Sequence, residues 1–264
     1  MDFWSLYLVA AFVAGALMAS TFLVSLLKKD NSIIDISWGL GFALIAGTTY
    51  YVSEMYTPVG LIVSALVVVW GIRLASHVYL RKRGKAEDFR YARWRKEWGK
   101  SFILRSILQI YALQGSLMLL VGASIIAANS AETAEFGTLQ TAGLAVWLIG
   151  FTFEVVADLQ LEHFRNNTKN KGNIITSGLW RYSRHPNYFG ESLLWIGLWI
   201  MVANTPFGML AVISPLIITL LLRFVSGVPM LEKRYVGNDE YVAYAAKTNI
   251  FLPLPVRKRR GANQ

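Results

Sequence analysis

The chain has 264 residues, 55% of them hydrophobic and 16% charged, with a mean hydropathy of +0.42. A water-soluble domain carries about a quarter charged residues, so this composition excludes an ordinary soluble fold and indicates a protein dissolved in lipid. No cysteine is present, which excludes disulfides, thiolate catalysis and cysteine-bound metals or iron–sulfur clusters. Seven apolar segments follow in chain order, near residues 4–27, 34–53, 58–80, 102–128, 139–160, 189–204 and 207–226. Each is close to the roughly 20 residues that cross a hydrocarbon core. The sixth is short, with residues 178–188 as a lead-in. The first has no basic stretch before it and no small-residue cleavage site, and Lys28-Lys29 ends it like a stop signal. A retained span is therefore expected there, not a cleaved signal peptide.

The net charge of +10 is explained by where the basic residues fall. They cluster at Lys28-Lys29, between Arg81 and Arg105, between Arg165 and Arg184, and from Arg223 onward. The connections around Glu54, around Glu132 and Glu135, and between the last two segments carry none. Seven crossings, with the N-terminus outside and the C-terminus cytosolic, put every strongly basic stretch on one side, as positive-inside bias requires. The charge is thus topology and no nucleic-acid surface. The expected fold is an all-α polytopic membrane helix bundle of about seven transmembrane helices, one domain over residues 1–264. Cytosolic loops 81–101 and 165–188 and the tail 227–264 are expected to cap a cavity.

Ionisable groups inside spans cost roughly 2.5–3.5 kcal/mol each on insertion scales and mark function by default. On the third span Arg73, His77 and Arg81 recur every four residues, one polar stripe on an apolar helix. On the fifth, Glu154, Asp158, Glu162 and Arg165 share a face. Arg81 and Glu162 sit near the boundary, where snorkelling explains them; Arg73 and Asp158 lie deeper and call for a water-accessible cavity. Asp35 opens the second span, either as an acid at a helix N-terminus or as a cavity group. The loop Arg81–Lys100 reads as an interfacial helix beginning near Glu87-Asp88, with Tyr91, Trp94 and Trp98 facing the membrane. Its alternative role is a lid.

The richest stretch is GLWRYSRHPNYFGE, residues 178–191. Pro186 suits the first position of a helix, which sets Asn187 and Glu191 one turn apart on one face. Helix-start amides and the guanidiniums nearby suit a phosphate, and the tyrosine rings suit a flat heterocycle. A headgroup-binding loop would not explain an amide and a carboxylate directed into the span. In the tail, Arg223 sits late in the last span, Ser226-Gly227-Val228-Pro229 breaks the helix, and Tyr241, Tyr244 and FLPLP form a returning segment. Arg257-Lys258-Arg259-Arg260 reads as a lipid-attracted end.

At SRHPNYFGE the chain resembles the steroid 5α-reductase-like membrane proteins, most closely a bacterial branch of unknown function. The likeness runs through DISWGLGF, RLASHVYLRKRGKAEDFRYARWR, the Asp158/Arg165 helix and EKRYVGNDEYVAYAAKTNIFLPLP. SRHPNY with the later glutamate and Tyr-x-x-Tyr is also similar to isoprenylcysteine carboxyl methyltransferases. Glu191 and the Asp158/Arg165 pair favour the reductase side.

The resemblance implies a seven-helix bundle binding NADPH in a cytosol-facing cavity, in a multi-pass protein of a bacterial inner membrane. Matched residue by residue, Arg73, Asp158, Arg165, Asn187, Glu191 and Arg223 fall where the reductases contact the cofactor. Tyr182, Arg184, His185 and Tyr188 belong to the same segment, and His77 shares the Arg73 face. Steroid reductases polarise the substrate carbonyl with a glutamate in the second span and a tyrosine in the third; here Trp70 stands near the tyrosine position and Asp35 is the acidic candidate. The expected reaction is hydride transfer to the double bond of a lipophilic enone that enters from the bilayer. Asn187 and Glu191 hold the nicotinamide carboxamide, and Asp35 is the acid, with Glu191 also at the reacting end. Two alternatives remain at this point: an S-adenosylmethionine-dependent methyltransferase of a lipophilic acceptor, and a non-enzymatic lipid-binding protein. No metal and no nucleic-acid partner are expected, and the sequence leaves the oligomeric state and the substrate open.

Overall fold

The computed structural model describes residues 1–132 and 135–256. The basic end Arg257–Arg260 lies outside the described residues. The helices are α1 (Phe3–Lys28), α2 (Ile34–Ser53), α3 (Pro58–Lys82), α4 (Phe89–Trp98), α5 (Phe102–Ser106), α6 (Leu113–Val121) and α7 (Ala123–Asn129). They continue as α8 (Thr138–Asn166), α9 (Pro186–Val202), α10 (Ile213–Leu220), α11 (Val228–Glu232) and α12 (Asp239–Lys247). Among the described residues there is no strand, only one isolated bridge between Ser183 and Asn249.

Six helical stretches are long and apolar enough to cross a membrane: Phe3–Lys28, Asn31–Ser53, Pro58–Lys82, Phe89–Val121, Thr138–Asn166 and Leu210–Tyr235. This is the expected all-helical polytopic bundle. The remaining expected segment is α9, 17 residues long, at the lower limit of the roughly 17–25 that span. Glycine, proline and polar residues set the breaks. Thr57 accepts from Gly60 N ahead of Pro58 at the start of α3, and Lys29 ends α1 in the left-handed region at φ 53°.

The chain folds into two compact units, Met1–Gln140 with Met201–Ser214, and Thr141–Ile200 with the residues from Pro215 onward. In the first, α2 and α3 meet through Gly39 and Gly71. A Cβ on Gly39 would stand 2.4 Å from the Gly71 carbonyl oxygen, so only glycine permits this approach, the usual device of helix packing in lipid. Phe42, Ile45, Val63, Val67 and Trp70 are fully buried around it. Inside this core Asn129 meets Thr49 Oγ1 at 2.9 Å and Ser64 Oγ at 3.2 Å, which satisfies a buried amide that lipid would otherwise penalise.

In the second unit, α8 and α9 pack as closely: a Cβ on Gly190 would stand 2.5 Å from Glu154 N. The segment before α9 is anchored on the end of α8. Leu179 N donates to Gln160 Oε1 at 2.9 Å and Trp180 Nε1 to the Ala157 carbonyl at 3.1 Å, with Ile175 and Trp180 buried against Ala157. The returning tail is tied to the same segment. Arg184 N donates to the Asn249 carbonyl at 2.8 Å, Ser183 Oγ to the Phe251 carbonyl at 2.7 Å, and Tyr244 Oη to the Trp180 carbonyl.

Candidate functional site

Helix α9 begins at Pro186, whose missing amide hydrogen costs nothing at a first turn. Asn187 and Glu191 follow one turn apart, and α9 is held against α8 at Gly190. The consequence is direct: Asn187 Nδ2 donates to Asp158 Oδ1 at 3.1 Å. With its amine engaged, Asn187 keeps a buried amide oxygen, Oδ1, that has no hydrogen-bond partner. Asp158 and Glu191 are buried, at 8% and 7% exposure, and both are engaged by neighbouring groups.

The residue before Pro186 builds a second cluster. His185 Nε2 lies 3.0 Å from Glu232 Oε1, and Arg184 Nε lies 3.4 Å from the same oxygen. Arg184 stands 6.0 Å over the Tyr241 ring. Tyr188 stacks on His185, centroids 5.6 Å apart and planes 7° apart. Burial pushes the His185 pKa below its ordinary 6.5, against the opposing pull of Glu232. The imidazole is therefore neutral near pH 7, with Nε2–H given to Glu232 and Nδ1 left as an acceptor. That Nδ1 is buried and has no partner. Buried polar atoms are almost always satisfied in a folded chain; Asn187 Oδ1 and His185 Nδ1, two residues apart at the start of α9, are exceptions.

Arg184 and Arg223 lie elsewhere. Both line a groove of about 710 Å³ between α9, the end of α10 and the tail, whose other walls include Phe189, Leu193, Ile196 and Leu252. At 100° per residue, residues 189, 192, 193 and 196 lie on the side of α9 opposite to Asn187 and Glu191. Arg223 is carried by a π-helical stretch, Leu221–Val225, a form concentrated at functional positions. The expected set of cofactor residues is thus divided within this unit, Asp158 with Asn187 on one face of α9 and the two arginines on the other. Tyr182 is exposed at 42%, and Arg165 is exposed near the end of α8, where neighbouring groups engage it.

The other expected residues belong to the first unit. Arg73 and His77 are half-buried on α3 and engaged by neighbouring groups. Trp70 is fully buried against Phe42, centroids 5.7 Å apart, and serves as core. Asp35 joins a polar cluster with α4. Its Oδ2 accepts from Arg90 Nη2 at 2.7 Å and its Oδ1 from Tyr91 Oη at 2.7 Å. Both carboxylate oxygens are thus engaged, one by a guanidinium and one by a phenol. Tyr91 itself is 3% exposed and does not face the membrane as expected. The helix start near Glu87-Asp88 is as expected, since Asp88 Oδ1 accepts from Arg90 N at 3.0 Å. Trp94 and Trp98 stack, centroids 5.4 Å apart.

The family described as "Protein of unknown function (DUF1295)" matches residues 21–248, which contain both units' polar clusters. The chain belongs to this family. A relative from Schizosaccharomyces pombe (strain 972 / ATCC 24843), "Uncharacterized protein C594.04c", is 26% identical over 210 residues. That match takes in 68% of this chain and 60% of the relative, so the chain spans less than two thirds of the relative's length. No solved structure matches.

In this DUF1295 chain, Arg90, Tyr91 and Glu232 are polar-cluster members that sequence reasoning passed over. Arg90 and Tyr91 follow an acidic helix cap, and pairing them with Asp35 required knowing where α4 folds back. Glu232 follows the helix break at Pro229 and precedes Lys233-Arg234, so its charge reads locally as paired with its neighbours.

Proposed function

We propose that the protein is a membrane-embedded NADPH-dependent reductase of a lipophilic enone. The observation that carries this is the pair of orphaned acceptors, Asn187 Oδ1 and His185 Nδ1, beside the Asp158-anchored turn. A nicotinamide carboxamide has an amine that needs an acceptor and an oxygen that needs a donor. Asn187 Oδ1 supplies the first need in a buried site, so these residues fit the group. The stacked Tyr188 and His185 rings offer a flat apolar surface for a heterocycle. When bound, NADPH supplies a hydride.

The chain's own residues do the rest. Asp158 fixes the Asn187 amide so that its oxygen is presented, and Glu232 fixes the His185 tautomer. Asn187 Oδ1 and His185 Nδ1 are the direct contacts assigned to the nucleotide; Arg165 belongs to the phosphate end.

S-adenosylmethionine would compete for the same turn if the methyltransferase reading held. Fluorescence titration of the purified chain in detergent, with NADPH, NADH and S-adenosylmethionine, tests the reading. Quenching by NADPH together with enone-dependent NADPH oxidation supports it. Saturable binding of S-adenosylmethionine without NADPH binding overturns it.

A further inference from the structure

We propose that the groove on the outer side of α9 binds a single-chain anionic amphiphile, its carboxylate or phosphate head on Arg184 and Arg223 and its acyl chain along Phe189, Leu193 and Ile196. The groove holds about 710 Å³, within the roughly 300–1,000 Å³ of small-molecule sites. Its chemistry is divided along its length, with two guanidiniums at the helix-start end and apolar side chains along the remainder. A neutral sterol-like molecule would leave those guanidiniums without a counter-charge, and a free anion would leave the apolar wall unused. An acyl chain with an anionic head matches both.

The charge balance supports this. Glu232 is shared between Arg184 and His185. Arg223 has a cation–π contact with Phe224 at 4.8 Å, and no carboxylate among the described residues pairs with it. A guanidinium in an apolar setting without an anion is costly. A second, independent observation points the same way. Ser192, only 3% exposed, lines the groove, and its Oγ has no hydrogen-bond partner. Ser192 lies six residues into α9 from Pro186, about 9 Å along the axis. Its hydroxyl is therefore open to the ester of an acylated phosphate head, whereas a simple fatty acid leaves it unpaired. The tail, held by Ser183 and Arg184, forms the third wall and positions Leu252 there. The apolar wall lies on the opposite face of α9 from Asn187, and Arg223 takes no part in the nucleotide contacts, so the variants at Arg223 and Ile196 test this site apart from the nucleotide reading.

The test uses the full chain in phosphatidylcholine nanodiscs with a diazirine-bearing palmitate as photoprobe. Adducts are expected on α9 between Phe189 and Ile196 and on the tail between Ala245 and Leu254. Palmitate and 1-acyl lysophosphatidate should displace the probe, and whichever does so at lower concentration identifies the head as carboxylate or phosphate. Arg223→Gln should weaken labelling by roughly tenfold or more, the loss of one charge-assisted contact, with Arg223→Lys restoring part of it. Ile196→Trp, which fills the groove without changing charge, should abolish it. Equal displacement by palmitate methyl ester overturns the anionic head. Displacement by inorganic phosphate or NADPH overturns the amphiphile, and labelling spread over all the spans overturns the site.

Discussion

Asn187 donates its amide to Asp158 at 3.1 Å, and this one bond joins the start of α9 to the last turns of α8. It turns a flexible amide into a fixed acceptor, because the engaged amine determines where the oxygen points. Removing the acceptor should therefore cost more than its surface area implies. Asp158→Ala should destabilise the chain by about 1–3 kcal/mol, the penalty for stranding a buried donor, and abolish NADPH binding. Asp158→Asn should keep the fold and lose part of the binding. Thermal melting and nucleotide titration of the same detergent preparation check both.

The Asp35–Tyr91 bond at 2.7 Å gives a different kind of prediction. Tyr91→Phe keeps the ring but removes the proton, so stability should fall by about 1 kcal/mol. Thermal melting of the variant in detergent checks this, and an unchanged Tm would contradict it.

His185 predicts a pH dependence. Its folded pKa is held below 6.5 by burial, with Glu232 opposing and Arg184 and Arg223 adding to the depression. Below pH 6.5 the unfolded chain takes up the proton first, so stability falls as pH drops from 6.5 toward the folded pKa and levels off beneath it. Above 6.5 this residue contributes no slope. Other carboxylates titrate nearby, so the difference between the protein and His185→Gln isolates the effect. The variant should lose that limb of the melting-temperature profile, and an unchanged profile would contradict it.

Packing between α8 and α9 can be tested without reference to function. Gly190→Leu places a side chain into the Glu154 backbone, where even a Cβ would come to 2.5 Å. It should cost at least about 1–3 kcal/mol as overpacking. Gly15 has nothing within 4 Å of an added Cβ, so Gly15→Leu should be close to neutral. Equal melting temperatures for the two variants would contradict the close approach.

The helices were legible because apolar runs of span length have few other solutions, and the Asn187/Glu191 face was legible because Pro186 fixes where α9 begins. Other features depend on tertiary return paths that no local pattern encodes. Arg90 reaches Asp35 across 55 residues of chain, and His185 reaches Glu232 across 47. The separation of Arg184 and Arg223 from Asn187 has a simpler cause. The sequence shows that all are polar and near one membrane boundary, but the helix rotation at residues 189–196 and the π-helical stretch at Arg223 decide which side of α9 each one serves.

Differential melting with added ligand asks most directly whether the Asn187–Asp158 turn binds a reduced nicotinamide nucleotide, as proposed. With NADPH at about 100 times its dissociation constant, linkage gives about 2.7 kcal/mol of stabilisation, a clear upward shift in Tm. The native chain should show this shift and Asn187→Ala should lose it. A shift with S-adenosylmethionine and none with NADPH would contradict it.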